Sequence, residues 1–482
     1  MSDGEIINLD LAIIGSGAAG LAAALTAAEG GAKVGIFEKQ RSLGGTSNFF
    51  EGIFAVESAM QRNEYITYSR DEAFKAMMEY NHWRANPRLV RAIVNESAET
   101  ISWLQKLGVE FKITINIPDA PRTYHLIKGE GSTVIKALAT AAREKGAQIR
   151  LGTTVKQILR QGEKITGIVA EADEEEFRIS APAVVVASGG YINNKDWVKK
   201  YSGLDLGVNL IPFGNVDKMG EGIRMAWEVG AAEEGLGILE LLRMGPLGPE
   251  TINKGNLMCA VAQPTLWVNE RGERFCDESV TFNETSEGNI CARYKQKCSY
   301  NLFDESIKEN WLRFGIVKNL ARENPPGTRL TNFDVELKSA LEKGNKEVFV
   351  ADSIEELAGK IGIDPAALKA TVDEYNRFCD KGHDDLFAKD PQYLQPLTKP
   401  KFYAIKAYTG CLGTLGGIKI NHRAEVVDKN GKVIPGLYAA GCDAGGMWGD
   451  SYSIVTNSGG CSAFALNSGR IAGKSILKYI GK

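Results

Sequence analysis

The chain contains no Cys-x-x-Cys pair. Its eight cysteines, Cys259, Cys276, Cys291, Cys298, Cys379, Cys411, Cys442 and Cys461, are scattered, which leaves an iron–sulfur cluster, an attached haem or a zinc ribbon without support. Histidine is scarce, and His82, His125, His383 and His422 show no metal-ligand spacing, so no metal is expected. Charge of either sign is not in excess: the net charge is −3, and nothing points to nucleic acid or an anionic membrane. A long uninterrupted apolar run is missing too. The stretch from Leu9 to Ala28 approaches the length of a membrane span, but glycines and a strand-to-turn pattern break it. The start, Met1-Ser2-Asp3-Gly4-Glu5, lacks the basic region of a secretion signal. A cytoplasmic protein with reduced thiols is expected.

Glycine is abundant, at 53 of 482 residues, with clusters near both ends. Such clusters suit backbone that must approach a large ligand closely. The length implies about two to four domains. Asn8 to Ile14 reads as a short buried strand, Ala18 to Glu29 as an alanine-rich helix, and Lys33 to Glu38 as the next strand. Helical periodicity runs from Asp71 to Leu107, restarting at Pro87, and again from Ser132 to Lys145. Ala147 to Ala187 alternates as a strand meander with a turn at Gly162-Glu163. The middle, from Gly255 to Ala407, loses the glycine clusters; Ser353 to Gly362 and Pro365 to Lys381 are its clearest helices. A last helix runs from Ser462 to Tyr479.

Gly15-Ser16-Gly17-Ala18-Ala19-Gly20 lies between the first strand and the first helix. The first glycine makes the turn, the second admits a pyrophosphate, and the third lets helix pack on strand. The pyrophosphate would sit against free amides at the positive end of the helix. Glu38, eighteen residues past Gly20, is placed to accept ribose hydroxyls. The residues after Glu38 favour FAD over NAD. Lys39 leads into Gly44-Gly45-Thr46-Ser47, a second backbone-and-hydroxyl cradle; Gly52 and Val155 are further candidates. Ala187-Ser188-Gly189-Gly190 ends a strand, and Gly441-Cys442-Asp443 ends another near the C-terminus. Asp443 is expected to hold the ribityl chain, and Ser458, Gly459 and Ser462 to line the cofactor. No second dinucleotide fingerprint comes after Gly20, so electrons must come from an external donor such as NAD(P)H.

These residues, with Met219-Gly220-Glu221-Gly222, Leu266-Trp267-Val268-Asn269, Gly272-Glu273-Arg274-Phe275, Gly413-Thr414-Leu415-Gly416-Gly417 and the stretch from Pro435 to Arg470, give a resemblance over nearly the whole chain. The sequence resembles the flavoprotein subunits of the fumarate reductase and succinate dehydrogenase family, of the single-chain type. That resemblance implies an α/β fold: a discontinuous Rossmann-like FAD-binding domain (1–254 and 408–482) with an inserted α+β capping domain (255–407). Substrate would bind between them.

The family pattern breaks at the substrate residues. Fumarate reductases hold two carboxylates with histidines and arginines. Here Leu412-Gly413 precedes Thr414, Thr281-Phe282-Asn283 stands where an arginine donor would be, and Thr456-Asn457-Ser458 where an arginine clamp would be. Neutral side chains cannot imitate bidentate recognition of a carboxylate. A small-molecule substrate that is cyclic and weakly charged is expected, reduced by hydride from the flavin. Relatives of that character reduce steroid enones, cinnamate-like acids and plant polyphenols, the step from tetrahydrodaidzein to equol included. Tyr452 is the principal candidate proton donor, with Asp450 and Tyr124 behind it; Gln263, Thr414, Asn457 and Phe282 are expected to orient the substrate. A ketosteroid-type dehydrogenase and a non-catalytic FAD-binding electron-transfer subunit are the alternatives.

Overall fold

The computed structural model describes residues 7–115, 120–214, 217–249, 255–292, 297–318 and 324–482; the reading of Met1 to Glu5 lies outside them. They fall into two compact units. The first comprises residues 1–203, 214–240 and 412–482. Its labelled elements are β1 (Leu11–Ile14), α1 (Ala18–Glu29), β2 (Val34–Phe37), α2 (Pro87–Lys106), α3 (Glu130–Glu144), β3 (Gln148–Arg150), β4 (Ala183–Val186), β5 (Glu425–Val427), β6 (Val433–Ala439) and α4 (Gly460–Ile480).

Six strands form the central sheet in the order β5-β6-β4-β1-β2-β3. All pair in parallel except β5, which runs antiparallel to β6. β1 lies mid-sheet, with Leu11 opposite Ala183 on one side and Val34 on the other. Strands covered on both faces need apolar side chains throughout, and Leu-Ala-Ile-Ile and Ala-Val-Val-Val are buried at every position. The strand expected over residues 8–14 is divided. Ile7 and Asn8 pair with the meander, opposite Ile179 and Ser180, and the chain bends at Asp10, whose carboxylate accepts the Lys33 amide at 2.7 Å.

α4 lies against α1 because both carry small residues where they meet. A Cβ at Gly469 would come 2.2 Å from the Ala19 carbonyl oxygen, and one at Gly473 would come 2.8 Å from Thr26 Cβ. α2 begins where proline suits the first turn, and the Asn86 side chain accepts the Arg88 and Leu89 amides. The meander is three antiparallel strands, Thr154–Gln161, Lys164–Ala172 and Glu175–Ser180.

The second unit comprises residues 204–213 and 241–411. Residues 204–213 join it because Leu210–Pro212 pairs in parallel with Thr409–Cys411. Its main segment runs from Leu241 to Cys411. Its sheet runs through Leu210–Pro212, Phe402–Thr414, Cys298–Asp304 and Leu266–Val268. Helices Ile354–Ile361 and Pro365–Lys381 contribute Leu357, Leu368 and Tyr375 to its core, beside Trp267 and Phe333. Buried charge is paired there. The Arg274 guanidinium donates to Glu278 at 2.9 Å and to Asp384 at 2.8 Å, and Lys389 Nζ lies 3.2 Å from Glu278, all with almost no exposure.

Candidate active site

Gly17, the cap of α1, has no side chain to bond the first-turn amides, so those other than the Ala18 amide can face an anion. Gly15 has φ +100°, and a Cβ there would lie 2.4 Å from the Ala187 carbonyl oxygen; a Cβ at Gly20 would lie 2.1 Å from the Gly15 oxygen. Close approach of turn, helix and β4 therefore excludes a side chain at both. Gly44 and Gly45 have φ +94° and +49°, and a Cβ at Gly45 would meet nothing within 4 Å. Ser47 reaches back so that its Oγ accepts the Ala18 amide at 3.1 Å, which joins the second glycine pair to the first. α4 also begins without a side-chain cap, at Gly459 in the left-handed region.

Several polar groups assigned to the cofactor have protein partners. Glu38 Oε2 accepts the Ser16 amide at 2.9 Å and hydroxyl at 2.8 Å, and Oε1 accepts the Gln40 amide at 2.8 Å. Lys39 Nζ donates to Glu221 at 2.8 Å and pairs with Asp217 at 3.0 Å, a part-exposed ion pair. Thr46 Oγ donates to the Gly214 carbonyl. Ser458 Oγ donates to the Ile454 carbonyl and Ser462 Oγ to the Gly52 carbonyl. Val155 sits in the meander opposite Ala170 and is buried. Asp443, expected at the ribityl chain, is likewise bonded within the protein. Its carboxylate accepts the Gly190 amide at 2.8 Å, the Gly189 amide at 3.1 Å and the Ser188 hydroxyl at 3.0 Å. It is fully buried and ties the end of β4 to the end of β6.

The candidate catalytic residues separate. Tyr452 is buried against Trp448, their ring centroids 5.9 Å apart. Burial first, and then the Glu240 carboxyl and Cys461, hold its hydroxyl well above the usual phenol range; Tyr124 adds to the same effect. Tyr124 is also buried. Asp450 pairs on the surface with His82 at 3.1 Å and Arg84 at 3.5 Å. Thr414 Oγ accepts the Tyr191 amide at 3.0 Å. Asn457 Oδ1 is buried without a protein partner, beside a void of about 10 Å³ lined by Met77, Asn81, Trp448 and Ser453, the room of one water.

In the second unit the Gln263 side chain is engaged within the protein. Its side chain donates to the Cys259 and Lys318 carbonyls at 2.8 and 3.1 Å and accepts the Val317 and Lys318 amides at 3.1 and 3.0 Å. With four bonds made, it fastens the segment around Lys318 and has nothing left for a substrate. Phe282 packs on Tyr393, ring centroids 5.0 Å apart.

Glu240 is the group that the motifs missed. It is buried, and burial pushes its carboxyl up to about 8, so it is uncharged at neutral pH. Cys461 is hydrogen-bonded to it, and Cys461 Sγ lies 3.8 Å from Cys442 Sγ. The available signal was an acid inside the apolar run Ile238-Leu239-Glu240-Leu241-Leu242. A separate cleft of about 390 Å³, lined by Arg62, Arg70, Trp103, Lys106 and Arg470 among others, shares no residue with this cluster or with the cradle.

The FAD binding domain family matches residues 10–453. The chain belongs to that family. Its cofactor is FAD, and it is an FAD-dependent oxidoreductase of the fumarate reductase group. It is 35% identical over 479 residues to the vinyl phenol reductase of Lactiplantibacillus plantarum, covering 98% of this chain and 96% of that protein. The NADH:fumarate oxidoreductase of Klebsiella pneumoniae is 29% identical over 91% of this chain, which spans 45% of that protein's length. The fold matches the crystal structure of 3-ketosteroid delta1-dehydrogenase from Sterolibacterium denitrificans with a TM-score of 0.79 at 19% identity, over 98% of this chain and 99% of the other. The uncapped helix starts and the open glycine turns fit a dinucleotide cofactor. Among the described residues no helix is long and apolar enough to cross a membrane, and no group of three metal-ligating side chains is present.

Proposed function

We propose that this protein reduces the side-chain double bond of a neutral phenolic alkene of the vinyl phenol type. The observation that carries the proposal is that Glu240, Tyr452 and Tyr124 are all buried in the first unit, where burial raises the Glu240 carboxyl and the Tyr452 hydroxyl and so favours their uncharged forms. Leu412, Phe282 and Asn457 stand where the family's dicarboxylate binders would, and identity to the vinyl phenol reductase extends over nearly all of both chains. A fumarate dianion at such a site would lose its hydration without gaining paired cations, a large cost.

When bound, FAD supplies a hydride at its N5. The chain would hold its pyrophosphate at the starts of α1 and α4, with Gly15, Gly17, Ala18, Ala19, Gly20, Gly44 and Gly45 as the close backbone and Glu38 near the ribose. Tyr452 holds the proton that goes to the alkene carbon remote from the hydride. Its raised phenol keeps that proton until charge develops on carbon. Glu240, an acid of pKa about 8 beside Tyr452, replaces the proton afterwards. As the terminal carbon takes that proton, a hydroxyl para to the alkene would let the ring oxygen share the positive charge developing on the benzylic carbon, the carbon that accepts the hydride. Tetrahydrodaidzein, also a phenol, is the natural second substrate to test. The electron donor is external, and NADH is the first to try.

The test is anaerobic turnover with 4-vinylphenol and a viologen or NADH as reductant, with product identified by mass. Formation of 4-ethylphenol, lost in Tyr452→Phe while FAD stays bound, supports the reading; conversion of fumarate but not of 4-vinylphenol would overturn it.

A further inference from the structure

Cys442 comes directly after β6, in the turn that carries Asp443, and Cys461 lies in the first turn of α4. Nineteen residues apart in sequence, their Sγ atoms are 3.8 Å apart, within sulfur hydrogen-bond reach. A disulfide needs about 2.05 Å between sulfurs, so roughly 1.8 Å of sulfur movement would close the bond. Both residues are half-buried, as is Cys379, whereas Cys259, Cys276, Cys291, Cys298 and Cys411 are buried. We propose that Cys442 and Cys461 are an oxidisable pair, a modification site at which a peroxide closes an intramolecular disulfide across the cofactor cradle.

The surroundings select Cys442 as the attacking sulfur. The Cys461 thiol hydrogen-bonded to it, and then Lys218, lower its thiol against the effects of burial and of Asp443, while Cys461 is held up by that same bond and by burial. Burial instead pushes Cys259 up to about 12, Cys298 and Cys379 up to about 11, and Cys276 and Cys291 higher still. The thiolate is the reactive form, so oxidation concentrates at the pair. Glu240 faces Cys461 from the strand Leu239–Gly245, and Tyr452 from the loop before α4.

In the first step the Cys442 thiolate attacks a peroxide oxygen: an S–O bond forms, the O–O bond breaks, and hydroxide leaves as water after taking a proton. Cys442 is then a sulfenic acid. In the second step Cys461 Sγ attacks Cys442 Sγ: the S–S bond forms, the S–O bond breaks, and the departing hydroxide takes the Cys461 proton as a second water. Two thiols lose two electrons in total and one peroxide becomes two waters. The product joins the turn after β6 to the first turn of α4, two segments that the cradle uses together.

The experiment treats the FAD-loaded protein with stoichiometric hydrogen peroxide, then counts thiols after denaturation and maps peptides by mass spectrometry. Two of the eight thiols should disappear, a Cys442–Cys461 linked peptide should appear, and dithiothreitol should restore all eight. Cys461→Ser should give a dimedone adduct at Cys442 and no disulfide. Should a Cys442→Ser control fail to fold, the wild-type map still decides. An unchanged thiol count, a disulfide between other cysteines, or Cys442 carried to the sulfinic acid with Cys461 left free would overturn the proposal.

Discussion

Gly190 donates its backbone N–H to Asp443 Oδ1 at 2.8 Å, across 253 residues of sequence. The bond closes the ends of two neighbouring parallel strands, β4 and β6, over the glycine turn of β1. Asp443 meets three donors there, and its own carboxyl is pushed upward by burial while those bonds pull it down. Asp443→Ala would leave the buried Gly190 amide and the half-buried Gly189 amide without this partner. A loss of about 1–3 kcal/mol is expected in urea unfolding, with FAD released on gel filtration. Unchanged stability would mean that this carboxylate does not fasten the strands.

Glu240 makes stability depend on pH in a direction opposite to that of a salt-bridged acid. Its folded value, about 8, exceeds the ordinary 4.5, so the folded state binds the proton more tightly than the unfolded one. Stability from this group is full below pH 4.5 and is lost as pH rises towards 8, at up to about 1.4 kcal/mol per pH unit. Glu240→Gln should flatten that slope. Urea midpoints of both proteins at pH 5.5, 7 and 8.5 check it, and parallel slopes would contradict it.

Tyr452 and Asp450 sit two residues apart but are assigned different work. Tyr452→Phe should lower kcat by about 10²–10⁴-fold, the usual range for a positioned acid, with the flavin spectrum unchanged. Asp450→Asn removes only surface pairs with His82 and Arg84, whose worth is about 0–1 kcal/mol, and should leave kcat within about twofold. Steady-state kinetics of both variants separate the roles.

Arg274 is bound on two sides by buried carboxylates. Arg274→Ala should cost about 3–5 kcal/mol in unfolding, since it strands buried charge, while Arg271→Ala, exposed in the same turn, should cost under about 1 kcal/mol.

The sequence made the nucleotide half of the fold legible because its constraints are local. A turn at Gly15, packing at Gly20 and the Ala18–Glu29 helix each depend on neighbours in the chain, and the helix bounds match residue for residue. Long-range partners were not legible. Gln263 and Asp450 read as site residues by type and position, yet their bonds go to Lys318 and His82, which nothing in the motifs specifies. Glu240 was overlooked for the same reason. An acid in an apolar strand becomes informative only when Cys461, 221 residues on, is seen beside it.

The central claim, a neutral site for a phenolic alkene, is tested most directly by single turnover. The flavoprotein is reduced under anaerobic conditions and mixed with 4-vinylphenol, tetrahydrodaidzein or fumarate while flavin absorbance is followed. Rapid reoxidation by 4-vinylphenol, with none by fumarate, is the predicted result. Rapid reoxidation by fumarate would contradict the account.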